Sequence, residues 1–184
     1  MRTRLFAAVA ALIAVSLLGP TPAHAVVPTP YAIDDVDNVN FPRGDITAMR
    51  LHVAPAKIVW TITLRRGVDL NSPAWGVTSA STIVIPMDTV DGAPVDWRIE
   101  VASGITGATG QAVDLRPTPS KACIVQLDQP GSLRTIRIRV SRECIDDPAE
   151  VRGRITYSFD AGNDGDIDSV DRAPDNGFTP QVRP

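Results

Sequence analysis

The chain has 184 residues, with 18 basic and 21 acidic side chains and a net charge of −3. That acidic balance argues against nucleic acid and against anionic membrane surfaces as partners. The length is that of one domain, enough to bury a real core.

The first residues carry a three-part export pattern. Met1-Arg2-Thr3-Arg4 is basic, Leu5 to Leu18 is apolar apart from Ser16, and Ala23-His24-Ala25 follows the Gly19-Pro20 break. These match the n-region, h-region and small-x-small cleavage site of a secretory signal. The apolar run of 14 residues is shorter than a bilayer span requires. Cleavage after Ala25 is expected, leaving residues 26–184 as one secreted domain. That mature chain keeps 16 basic and 21 acidic residues, a net of −5. No cysteine lies near the cut and no second apolar stretch is long enough to span. The expectation is an extracellular protein with no membrane anchor.

In chain order, Val26 to Pro30 is a proline-rich lead-in, and Tyr31 to Asn40 is acidic with scattered apolar residues. Phe41-Pro42-Arg43-Gly44-Asp45 reads as a turn. Ile46 to Val53 and Lys57 to Leu64 read as paired strands around Ala54-Pro55-Ala56. In the second, Ile58, Trp60, Ile62 and Leu64 alternate with Val59, Thr61 and Thr63, so the large residues share a face. Arg65 to Ala80 is a long connection containing Pro73 and Trp75. Ser81 to Met87 is a buried-strand candidate, and Asp88 to Asp96 a turn rich in Asp, Gly and Pro. Trp97, Ile99 and Val101 alternate with Arg98 and Glu100, and Gly104 to Gly110 reads as a glycine-punctuated turn at a hairpin tip. Strands are predicted at Lys121 to Leu127, Leu133 to Val140 and Arg152 to Phe159. Asp160 to Pro184 is an Asp-, Gly- and Pro-rich tail. No segment of the mature chain holds a helical period. Short alternating strands between turn signals predict an all-β, antiparallel β-sandwich, immunoglobulin-like or jelly-roll-like.

Cys123 and Cys144 flank the Leu133 to Val140 strand. Outside the cytoplasm such a pair is expected as a disulfide. It would tie that strand's exit to the strand before it.

Three motifs line up along the chain: Pro42-Arg43-Gly44-Asp45-Ile46; Met87-Asp88-Thr89-Val90-Asp91-Gly92-Ala93-Pro94-Val95-Asp96-Trp97; and, after the cysteine pair, Asp171-Arg172-Ala173-Pro174-Asp175-Asn176-Gly177-Phe178. Together they resemble a group of small secreted actinobacterial proteins. That group has a D-x-x-G-D opening, a central D-T-D-G-D-like turn, one cysteine pair and a D-x-A-P-D-x-G-F end. The resemblance covers nearly the whole mature chain. It implies a β-sandwich and no named activity. Val90 departs from it, standing where the group often has Asp.

Chemistry is concentrated in the tail. Asp164, Asp166, Asp168 and Asp175 stand at positions one, three, five and twelve, the carboxylate spacing of a Ca²⁺ loop. Position six is Ser169 rather than Gly, position twelve is Asp rather than Glu, and no flanking helices are predicted. A solvated acidic turn fits the same residues. Asp88, Asp91 and Asp96 form a second acidic turn, and Asp34, Asp35 and Asp37 could join either cluster. His52 is the only histidine left after cleavage and sits in a strand, the usual place of a structural histidine. No Gly-x-Ser-x-Gly, His-Glu-x-x-His or phosphate loop occurs. Trp60 and Trp97 fall in the apolar alternation and are expected in the core. Trp75 lies in a loop and is the candidate ligand-binding aromatic. The expectation is a non-enzymatic secreted module, with Ca²⁺ as its one candidate cofactor and an extracellular protein or glycan as partner. The alternatives are a glycan or cell-wall binder acting through Trp75 and a hydrolase using acidic residues.

Overall fold

A computed structural model describes residues 31–34, 41–72, 75, 81–89, 95–102, 108–115, 122–162 and 164–184. The segment 1–25, expected as the export signal, lies outside them. The described residues form two antiparallel sheets. The first comprises β1 (Tyr31–Asp34), β2 (Ile46–Val53), β3 (Lys57–Leu64), β8 (Gln126–Asp128) and β9 (Thr135–Ser141), in the order β1-β2-β3-β9-β8. The second comprises β4 (Thr82–Asp88), β5 (Trp97–Ala102), β6 (Thr109–Asp114), β7 (Ala122–Ile124), β11 (Ile155–Phe159) and β12 (Ser169–Ala173), in the order β12-β11-β4-β5-β6-β7. The two-residue β10 (Arg152–Gly153) also pairs with β4. No described helix is long and apolar enough to cross a membrane.

The two-residue alternation sets the packing. Ile58, Trp60, Ile62 and Leu64 of β3 point inward with Ile136, Ile138 and Val140 of β9. They meet Ile83, Ile85, Met87, Trp97, Ile99, Val101, Ile155, Tyr157 and Phe159 from the second sheet in one buried cluster. Each such side chain, taken fully out of water, contributes about 1.5–3 kcal/mol against the entropy of ordering the chain. The chain is therefore a β-sandwich, with Trp60 and Trp97 in its core as predicted. The β2–β3 hairpin closes where Ala54 and Lys57 exchange backbone hydrogen bonds of 2.8 and 3.3 Å. Pro55 suits the first corner there because its φ is already fixed.

Three predicted segments need correction. Lys121 to Leu127 is two strands rather than one. At Val125 the chain leaves the second sheet and joins the first, with the Val125 N–H still bonded to Gly110 O. Strands that change sheets at a bend make the corners of such sandwiches. Arg152 to Phe159 is interrupted at Arg154. The register along β4 places Arg154 opposite Pro86, which has no N–H to offer. The tail holds a strand, β12, which pairs along the whole of β11.

A disulfide joins Cys123 in β7 to Cys144, with Cα atoms 6.1 Å apart. Cys144 belongs to a short 3-10 helix (Glu143–Ile145) that follows β9. The bridge thus ties the exit of β9 to the preceding strand, as expected, and it links the two sheets.

Candidate functional site

The acidic tail forms the β11–β12 connection. Asp168 Oδ2 accepts the N–H groups of Ala161 (2.6 Å) and Gly162 (3.0 Å). The buried Asp160 carboxylate accepts those of Asp164 (3.3 Å) and Gly165 (2.9 Å). Asp164 Oδ1 accepts the N–H of Asp166 at 3.0 Å, and Gly165 has φ +100°. These are the bonds by which Asp and Gly build turns. Asp175 lies exposed beyond the Ala173–Pro174 peptide. The described residues hold no group of three or more His, Cys, Asp or Glu side chains that could hold one metal ion. Asp164, Asp166, Asp168 and Asp175 are not gathered into such a group.

Other described acids also serve the fold. Asp88 receives Arg152 through Nε (2.8 Å) and Nη2 (2.6 Å). Asp96 accepts the backbone N–H of Thr89 at 2.9 Å, closing the neck of the central turn. Asp91, Asp35 and Asp37 lie outside the described residues. Asp171 Oδ2 accepts the Ile46 N–H at 2.6 Å, joining β12 to the start of β2 across the sandwich. Asp45, fully buried beside it in sequence, has the Arg65 guanidinium 3.6 Å away.

Trp75 corrects the expectation of a surface aromatic. It is 1% exposed, and its Nε1–H donates to Tyr157 Oη at 3.0 Å. Tyr157 points inward from β11, and a buried indole N–H and phenol each need a partner, which they find in each other. Trp75 therefore offers no ring face as a ligand platform. Burial pushes the Tyr157 phenol above its ordinary range, and the Trp75 hydrogen bond and the Arg43 charge pull less strongly the other way. The sign follows from linkage. Above about pH 10 an unfolded chain loses that proton while the folded chain keeps it, so stability falls as pH rises. Between pH 9 and 11 the urea midpoint of the wild type should drop more steeply than that of Tyr157→Phe. The variant should itself be about 1–2 kcal/mol less stable at pH 7, with the Trp75 N–H left unpaired. Parallel pH profiles would refute this assignment.

Among the described residues, the outer face of the first sheet carries the clearest exposed charge pattern. Register places Arg50, Thr61, Arg137 and Asp128 in one cross-strand row, and His52, Val59, Arg139 and Gln126 in the next. Lys57 and Ser141 pair beyond them. Asp128 lies 2.9 Å from Arg139 and 3.6 Å from Arg137, so one acid is shared between two guanidinium groups. Asp34 occupies the register position opposite Ala48 at the far edge. Arg50, Lys57, Arg137 and Arg139 thus make a cationic face on an acidic chain. Arg137 and Arg139 alternate with Ile136, Ile138 and Val140 in the sequence, but only cross-strand register brings Arg50 and Lys57 beside them.

Two depressions border this face. A notch of about 240 Å³ lies where β7 passes into β8, between Ile124, Ala56, Lys57 and Arg139. A groove of about 460 Å³ runs along β8 past Leu70, Leu127 and Leu133. Gln129 closes its floor, donating to Val68 O (2.6 Å) and accepting the Leu70 N–H (3.0 Å). No family model, curated protein or solved structure matches the chain.

Proposed function

We propose that residues 26–184 form a secreted, non-enzymatic interaction module that binds an acidic extracellular partner on the outer face of the first sheet. The reading keeps the export signal in residues 1–25 and the resemblance to small secreted actinobacterial proteins. The disulfide is in keeping with an oxidising compartment. The observation that carries the reading is the segregation of charge. Asp88, Asp96, Asp160, Asp164, Asp168 and Asp171 bond to backbone N–H groups or to an arginine that holds the fold, while Arg50, Lys57, Arg137 and Arg139 face outward together. Opposite charge on a partner would steer association and fix its orientation on that face.

The test is binding of the secreted protein to labelled poly-glutamate and to a polyuronic acid, with a neutral glucan as control. Affinity for an acidic polymer should fall with salt, because exposed charges are screened beyond about 8 Å at physiological ionic strength. The double variant Arg50→Glu/Arg137→Glu should weaken binding by about tenfold or more, as each lost contact of roughly 1 kcal/mol compounds with repulsion. Arg98→Glu, on the second sheet, should leave it unchanged. Salt-independent binding, or equal loss in both variants, would remove the face from the account.

A further inference from the structure

Ile124 is 89% exposed, far more than any other large apolar residue described. Its neighbours turn inward: Cys123 and Val125 are both buried. The alternation that seats those two in the core obliges residue 124 to face out. That accounts for its direction but not for its chemistry, since a serine or lysine would meet the same geometry. The residue stands at a sheet corner, beside Lys57 and Arg139 in the 240 Å³ notch. Among the described strands, β7 ends the second sheet and β8 ends the first, so the Ile124 to Gln126 run borders both sheets.

We infer that this notch receives an extended acidic polypeptide segment that places an apolar side chain against Ile124 and Ala56 and carboxylates beside Lys57 and Arg139. The inference rests on the proposed acidic partner and names its class. A polysaccharide of uronic acids would satisfy the cations and leave Ile124 in water. An extended peptide offers apolar and charged groups at alternate positions, about 6.8 Å apart on one face. It can also lay its backbone along a sheet edge, as added strands do. Charge complementarity with Lys57, Arg139, Arg137 and Arg50 sets the sign of its flanking residues.

The test uses the secreted protein and two labelled peptides of equal charge, Glu-Glu-Leu-Glu-Glu and Glu-Glu-Ser-Glu-Glu, read by fluorescence anisotropy. The leucine peptide should bind roughly tenfold more tightly, the factor expected when one apolar side chain leaves water. Ile124→Ser, a change at an exposed position, should erase that difference while leaving the serine peptide's affinity as it was. Equal affinities in the wild type, or a preference that survives Ile124→Ser, would overturn the notch. So would binding of the polyuronic acid with neither peptide bound, which leaves the cationic face standing with a glycan as its partner. Indifference of every probe to Arg50→Glu/Arg137→Glu would instead sink the face itself.

Discussion

Trp60→Ala should lower the unfolding free energy by about 4 kcal/mol, and Gly153→Ala by about 2–3 kcal/mol, although it adds only one methyl group. The two share a cause. Trp60 is fully buried at the middle of β3, and its ring extends across the sandwich to β10. A Cβ at Gly153 would stand 2.8 Å from Trp60 Cη2, 2.9 Å from Cζ2 and 2.8 Å from the Pro86 carbonyl oxygen. The first two contacts belong to a rigid ring and the third to backbone, so nothing there gives way cheaply. Glycine is required at this position by close approach, not by its dihedral angles.

A double-mutant cycle separates this from a general intolerance at β10. Among the described residues the buried Trp60 Nε1–H has no hydrogen-bond partner, so Trp60→Phe gives up no such bond while shortening the ring. In the Trp60→Phe background, Gly153→Ala should cost at least 1 kcal/mol less than in the wild type, the coupling expected of residues in direct contact. Urea denaturation of the four proteins gives the number. Additive costs would show that β10 fails for a reason other than the ring.

Where side chains alternated by hydropathy, the sequence was readable. β2 and β3 have the predicted limits, and β5, β9 and β11 fall within a residue or two of theirs or inside a longer predicted segment. The failures follow from polar groups in apolar positions. In β12 the inward residues are Ser169, Asp171 and Ala173, and the outward ones Val170 and Arg172, which inverts the usual signal. Asp171 is buried because it caps the Ile46 N–H of the other sheet, a bond between residues 125 apart in sequence. No local pattern encodes such a bond. β6 was equally faint, since its inward residues are Gly110, Ala112 and Asp114. Trp75 escapes the pattern because Pro73 marks a loop, and a loop tryptophan reads as exposed. Its partner Tyr157 is an inward phenol in an apolar alternation, and no local pattern joins it to a tryptophan 82 residues away. The acidic spacing from Asp164 to Asp175 suited a cation loop as well as a turn, and only the bonds to Ala161 and Gly162 place Asp168 in the turn.

The disulfide bears on the same corner as the binding notch, and its removal should have a local and a global effect. Cys123→Ala/Cys144→Ala reopens a 22-residue loop in the unfolded chain, worth about 3 kcal/mol by the chain-entropy relation. The global loss should appear as a lower urea midpoint, with a somewhat steeper slope because the unbridged unfolded chain exposes more surface. The local effect follows from topology. β7 is three residues long and, among the described strands, pairs with β6 alone and ends its sheet. Its anchorage to the first sheet is the bridge to the 3-10 helix after β9, together with the turn at Val125. Arg142 fixes the far end of that bridge, donating through Nη1 to Pro55 O at 3.0 Å and through Nη2 to Pro148 O at 2.6 Å. With the bridge cut, amide exchange at 122–124 should accelerate well beyond the change at β3 or β4, because a short edge strand opens without the rest of the fold. The notch should loosen with it, so the leucine peptide should lose its advantage in this variant even where the fold persists. Uniform acceleration across both sheets would instead mean that the bridge acts only on the unfolded chain and that β7 is held in place by its packing.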